Sequence, residues 1–143
     1  MNTQLALLFQ QVVKHVEIEI SSACNRSCAY CPQGFLRRGQ QLMPLELFEK
    51  IAGELQQLAY EGTVAFHQYN EPLLAPEHLR AALALTARYL PQSITILYSN
   101  GDFLTPALAG ELGQAGLHHI TTNCHLTASE TWSPELALSK VYR

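Results

Sequence analysis

An α/β fold with a parallel sheet is the prediction for this chain, and three observations make it. Four short apolar or alternating segments have strand character, longer segments with apolar residues at helical spacing lie between them, and a polar cluster stands directly behind each strand. Strands that alternate with helices of this length imply βα units, because a parallel pair needs a crossover connection.

Residues 1–15 form a lead-in whose Leu5 to Phe9 stretch is apolar. No basic flank precedes it and no small-residue cleavage site follows, so it does not read as a signal peptide. Val16, Ile18 and Ile20 alternate with Glu17 and Glu19, which predicts a strand ending where a cysteine-rich loop begins. After a polar connection, Pro44 opens a helix on which Leu45, Phe48, Ile51, Ala52, Leu55, Leu58 and Ala59 form one apolar face, punctuated by Gly62. Thr63 to His67 is the second strand and runs into Gln68-Tyr69-Asn70-Glu71-Pro72. The next helix starts near Pro76, buries Leu79, Ala82, Leu83, Thr86, Ala87 and Leu90, and stops at Pro91. Ser93 to Ser99 is the third strand, ending at Asn100-Gly101. Thr105 is a cap with Pro106 at the first helical position, and that helix ends near Gly116. Leu117 to Thr122 is the fourth strand, with Asn123, Cys124 and His125 at its end. The tail from about residue 126 to residue 143 carries no comparable pattern.

Composition bounds the function. With 143 residues, 48% of them hydrophobic and 15% charged, the chain reads as one globular domain with a sizeable core. Its net charge of −3 provides no broad electrostatic footprint for nucleic acid or an anionic membrane surface. Arg37 and Arg38 are a local exception, read as a solvated loop. No stretch is long and apolar enough to span a bilayer. Four cysteines in a secreted mini-protein would suggest disulfides, but a chain with this much core and no export signal fits a reducing cytoplasm better.

Three of the cysteines fall in Cys24-Asn25-Arg26-Ser27-Cys28-Ala29-Tyr30-Cys31-Pro32. A soft thiolate trio selects an iron–sulfur cluster, zinc or copper(I) over hard cations. A zinc site would need a fourth ligand, for which Cys124, His125 or another histidine is available. His67, at the end of an apolar strand, reads first as a satisfied inward histidine with a minor substrate-side role, and Cys124 as a small packed side chain. In parallel α/β folds ligands bind at the carboxyl ends of the strands, so the four strand-end clusters should converge on one face.

The cysteine segment resembles the CxxxCxxC signature of the radical S-adenosylmethionine (radical SAM) superfamily, including the aromatic residue before the third cysteine. Asn70-Glu71-Pro72 resembles that family's Gly-Gly-Glu-Pro motif, with Tyr69-Asn70 where the two glycines usually stand, and Ser99-Asn100-Gly101 resembles its Thr-Asn-Gly segment. The resemblance runs from Val16 to about His125. It implies a partial, TIM-like barrel of about four βα units, shorter than the six usual in the family. It implies that Cys24, Cys28 and Cys31 ligate a four-iron, four-sulfur cluster with one iron left open for SAM, whose reductive cleavage gives a 5′-deoxyadenosyl radical. It further implies that Tyr30 packs near the adenine, that Asn70, Glu71 and Pro72 border the methionine amino group, and that Asn100 belongs to the SAM pocket. The implied partners are a small-molecule or peptide substrate, an electron donor of the flavodoxin or ferredoxin type, and a second subunit at the open edge of the sheet. The alternative is a non-catalytic module that holds zinc, or a cluster-binding remnant of the family.

Overall fold

The computed structural model describes residues 3–36, 38–126 and 129–141. At its centre is a parallel sheet of four strands, β1 (His15–Glu17), β2 (Thr63–Ala65), β3 (Ile94–Ser99) and β4 (His119–Thr122), each lying beside its predecessor in the chain. The registers His15↔Thr63, Thr63↔Ile94 and Ile96↔His119 bring the carboxyl ends of the strands to one side. Helices α2 (Leu45–Gln57), α3 (Pro76–Tyr89) and α4 (Pro106–Gln114) make the crossovers, and α1 (Thr3–Val12) and α5 (Pro134–Val141) flank them.

The helices form where chemistry at their starts and apolar spacing coincide. Glu46 sits in the first turn of α2, where a negative charge faces the positive end of the helix dipole, and Phe48, Ala52 and Leu55 are buried one turn apart. Pro76 opens α3 with its ring at a position that needs no N–H, and Leu79, Ala82, Leu83 and Thr86 face inward. The buried Thr86 hydroxyl donates to Ala82 O at 2.9 Å, so α3 hides no unpaired polar group there. Thr105 caps α4 by accepting from the Leu108 N–H at 3.1 Å. These faces close on Ile18, Ile20, Val64, Phe66 and Leu97 in one apolar core, in which the Phe48 and Phe66 rings stack at 6.0 Å.

Several boundaries differ from expectation, each for a local reason. The first strand pairs with β2 only as far as Ile18, whose N–H donates to Ala65 O at 2.8 Å. Beyond it the chain pairs antiparallel with a different segment, through the Ser21↔Leu42 bridge and the Met43 N–H to Ile20 O bond of 2.9 Å. The second strand stops at Ala65, before Phe66 and His67. The fourth begins at His119, not Leu117, because the Leu117 N–H turns back to Leu112 O at 2.9 Å while His118 Nδ1 accepts from the Thr95 N–H at 3.1 Å. Helix α2 ends at Gln57, leaving Ala59 exposed in the left-handed region at φ 49°, and Ala87 of α3 faces solvent rather than the core. Arg38 lies in a loop as expected, half-buried rather than fully solvated, because its guanidinium forms a two-point pair with the Glu19 carboxylate. Arg37 lies outside the described residues. The patternless tail contains α5, capped by Ser133 Oγ accepting from the Leu136 N–H at 3.1 Å, and the lead-in contains α1.

Candidate active site at the strand ends

The cysteine loop grows from the end of β1 and is pinned where it returns, because the Ser22 N–H donates to Gln41 O at 2.9 Å. Within it, Cys31 N–H to Cys28 O and Gly34 N–H to Cys31 O bonds, both 2.9 Å, wind consecutive tight turns that end in a short 3-10 turn, Pro32–Gly34. A Cβ at Gly34 would stand 2.9 Å from the Cys28 carbonyl oxygen, so the winding depends on glycine at that position. All four cysteines are free thiols of intermediate burial. Burial pushes the Cys24 thiol above its ordinary range, opposed by the Arg26 N–H that points at its sulfur from 3.5 Å.

The second and third loops are joined by Glu71. This side chain is 1% exposed, yet both carboxylate oxygens are partnered: Oε1 accepts from Ser99 Oγ at 2.8 Å and the Leu73 N–H at 3.1 Å, and Oε2 from the Asn100 N–H at 2.7 Å. Burial pushes the carboxyl upward, and the three donors pull against it without cancelling it. Through its own N–H, Glu71 also donates to Ala23 O at 2.8 Å, at the root of the cysteine loop. In the third loop the Gly101 N–H donates to Ser99 Oγ at 3.0 Å, with Gly101 at φ 79°, a conformation that favours glycine.

A cavity of about 280 Å³ opens among these loops. Cys24, Cys28 and Cys31 line it from the first loop, Glu71 from the second, Asn100 from the third, and Asn123 and His125 from the fourth, so all four strand-end clusters meet on one face. Asn70 lines it too, held by Nδ2 to Ser21 Oγ at 3.3 Å, whereas Pro72 is buried at the head of the turn Pro72–Leu74. Tyr30 also lines the cavity but is 77% exposed, its ring stacked on His125 with 3.0 Å between its hydroxyl and His125 Nδ1. Cys124, half-buried, stands outside this lining. His67 lines the cavity as well. Its Nδ1 accepts from the Tyr98 N–H at 3.3 Å, its ring packs on Tyr98 at 4.5 Å, and burial lowers its pKa against the pull of Glu17.

Sequence reasoning missed a network between the first and third loops. Asp102 accepts from Asn25 Nδ2 and from Arg26 Nε, both at 2.7 Å, and from Arg26 Nη2 at 2.5 Å. Asn25 Oδ1 in turn accepts from Asn100 Nδ2 at 2.8 Å. Nothing local marks these residues, because the partners lie 76 positions apart.

Among the described residues no three His, Cys, Asp or Glu side chains close on one point as a single metal ion requires. Three cysteines wound on one loop and facing one cavity suit a cluster instead, since each thiolate binds a different iron, and the N–H aimed at Cys24 sulfur is the kind of donor that stabilises such a thiolate. A parallel βα sheet with a three-cysteine loop at its strand ends defines a protein of the partial-barrel class with its candidate site at the carboxyl ends of the strands.

The comparisons specify the class. Residues 18–132 match the radical SAM superfamily, and the chain belongs to it. Members use a four-iron, four-sulfur cluster and SAM, and the relatives named here are enzymes. The chain is 34% identical over 114 residues to an S-adenosyl-L-methionine-dependent 2-deoxy-scyllo-inosamine dehydrogenase of Niallia circulans, covering 79% of this chain and 45% of that protein. It is 30% identical over 125 residues to a GTP 3′,8-cyclase of Rippkaea orientalis, covering 84% and 37% respectively. The structure of BtrN in complex with AdoMet and 2-DOIA superimposes with a TM-score of 0.75 at 29% identity, over 92% of this chain and 56% of that one. The fold is thus a partial radical SAM barrel, and the chain spans about half the length of these proteins or less.

Proposed function

We propose that Cys24, Cys28 and Cys31 hold a four-iron, four-sulfur cluster, that SAM binds beside it in the cavity, and that the chain serves hydrogen abstraction from a polar small molecule. The observation that carries this reading is the facing of the cysteine trio into the same cavity as the Glu71-organised loops. Bound there, the two cofactors would supply one-electron chemistry and hydrogen-atom abstraction from substrate, with the electron drawn from an external one-electron donor. The residues of this chain bind, orient and shield. Asn70 and Asn100 offer amide groups to SAM, Tyr30 an aromatic face for its adenine, and Glu71 and Pro72 hold the loop backbone in place.

The substrate side is polar. His67, Gln68, Tyr69 and Tyr98 line the cavity and supply donors and acceptors suited to a hydroxylated ring, and the dehydrogenase relative acts on 2-deoxy-scyllo-inosamine. A hydroxylated or amino-bearing ring compound is therefore the substrate class we assign, with GTP-like nucleotides second because two cyclases are also related. A peptide, the other substrate of the sequence reading, has less support. The reading also calls for a one-electron donor of the flavodoxin or ferredoxin type, a reducing compartment such as the cytoplasm, and a partner segment at the free edge of β4. A zinc site has less support, because the thiols do not gather around one point.

The test is anaerobic reconstitution with iron and sulfide, then electron paramagnetic resonance of the reduced protein with and without SAM, and an assay for 5′-deoxyadenosine. The expected result is a cluster signal that changes when SAM is added. Cys28→Ala abolishes cluster assembly and Cys124→Ala leaves it intact. Tightly bound zinc with no cluster, or loss of metal in both variants, would overturn the reading.

A further inference from the structure

We propose that Arg26 and Asp102 form a clasp that fixes the cysteine loop against the third strand-end loop and sets the charge felt by the metal group the loop holds. The clasp rests on the structure alone, and the charge effect rests on the cluster reading above. Arg26 meets the Asp102 carboxylate through two parallel bonds, Nε to Oδ2 at 2.7 Å and Nη2 to Oδ1 at 2.5 Å, the fork geometry that makes arginine–carboxylate pairs directional. The two side chains are 27% and 32% exposed. An isolated exposed pair would contribute little, but this one is a node in a network. Asn25 donates to the same carboxylate and accepts from Asn100, and the Asp102 N–H donates to Asn100 Oδ1 at 3.0 Å, which shapes the third loop to receive Arg26.

The clasp falls at the most sensitive point of the loop. Asn25 and Arg26 lie between Cys24 and Cys28, and the Arg26 N–H is the group aimed at Cys24 sulfur, so the same residue grips Asp102 with its side chain and a ligand with its backbone. Arg26 also lines the cavity with all three cysteines, and its cation is close enough to the Cys24 and Cys28 sulfurs to interact with them electrostatically. Reduction of a cluster adds one negative charge, and nearby charge and hydrogen bonds to sulfur are the protein's means of setting its potential. In the intact pair the arginine is neutralised by the aspartate. Arg26 and Asp102 are positioning residues, not catalytic ones.

Two measurements test this. Hydrogen exchange on the cluster-free protein reads the clasp: the amides of Arg26, Cys31 and Asp102, which are hydrogen-bonded within the two joined loops, exchange faster in Arg26→Gln and in Asp102→Asn than in wild type, and unchanged exchange overturns the clasp. A potentiometric titration of the reconstituted cluster reads the charge. Asp102→Asn leaves the cation uncompensated and raises the midpoint potential, Arg26→Gln leaves the anion and lowers it, and the double variant returns near wild type. A purely structural role cannot produce shifts of opposite sign, so shifts of the same sign in both single variants, or none, overturn the charge effect. Failure of the wild type to assemble a cluster overturns the charge effect together with the cluster reading, while the exchange result still decides the clasp.

Discussion

Glu71 shows how much of a site a single side chain can organise. Its carboxylate is filled by Ser99, Leu73 and Asn100, and its backbone reaches Ala23, so one residue ties three loops together. Glu71→Ala strands two buried donors, Ser99 Oγ and the Leu73 N–H, and the half-buried Asn100 N–H, and should lower unfolding free energy by about 3 kcal/mol, whereas Ser99→Ala, which spares two of the carboxylate's partners but frees the Gly101 N–H, should cost about 1–2 kcal/mol. Urea denaturation of both variants checks the ratio. His67 makes a prediction about pH. Burial lowers its pKa, so between that lowered value and the ordinary value of about 6.5 the unfolded chain binds the extra proton. The contribution of neutral His67 is complete above about pH 6.5 and declines as pH falls through the window. Over that window the melting temperature of His67→Gln should fall less than that of wild type. The cysteines could be read from the sequence because thiol chemistry is carried by residue identity at short spacing. The partners of Glu71 and Arg26 could not, because their meaning comes from contacts with loops far along the chain.

At the scale of elements, proline and cap signals placed the helix starts well. Pro44, Pro76 and Thr105-Pro106 each mark a helix within a residue of its first turn. Ser133-Pro134 carries the same signature ahead of α5 and was available to be read. Ends were harder. Helix α2 gives way to Ala59 at φ 49°, a conformation costly for a residue with a Cβ. Ala59→Gly should therefore stabilise the protein by about 0.5–1 kcal/mol, the relief of that strain less the entropy of a freer unfolded chain. A raised midpoint in urea denaturation is the measurement. Strand ends shifted because alternation continues past the last ladder bond, as at Ile20, where the backbone partner changes from β2 to the 41–43 segment. Period-two patterning reports which face a residue occupies, not which segment pairs with it.

For the molecule as a whole, the parallel α/β arrangement was legible because each crossover helix carries its own apolar stripe and each strand is short and either apolar or alternating. The convergence of the polar clusters followed from the same logic, since parallel strands must end on one side. What did not follow was how that side is fastened. Strand order equals chain order, from β1 to β4, so each unit can dock on the one already made. The three thiols near the start of the chain are consequently synthesised well before Glu71, Asn100 and Asp102, the groups that hold their loop. On a ribosome, the thiols of the site come first and the groups that fasten their loop later. During that interval the thiols lack those fastenings, and the arrival of the third strand end supplies the Asn100 and Asp102 contacts.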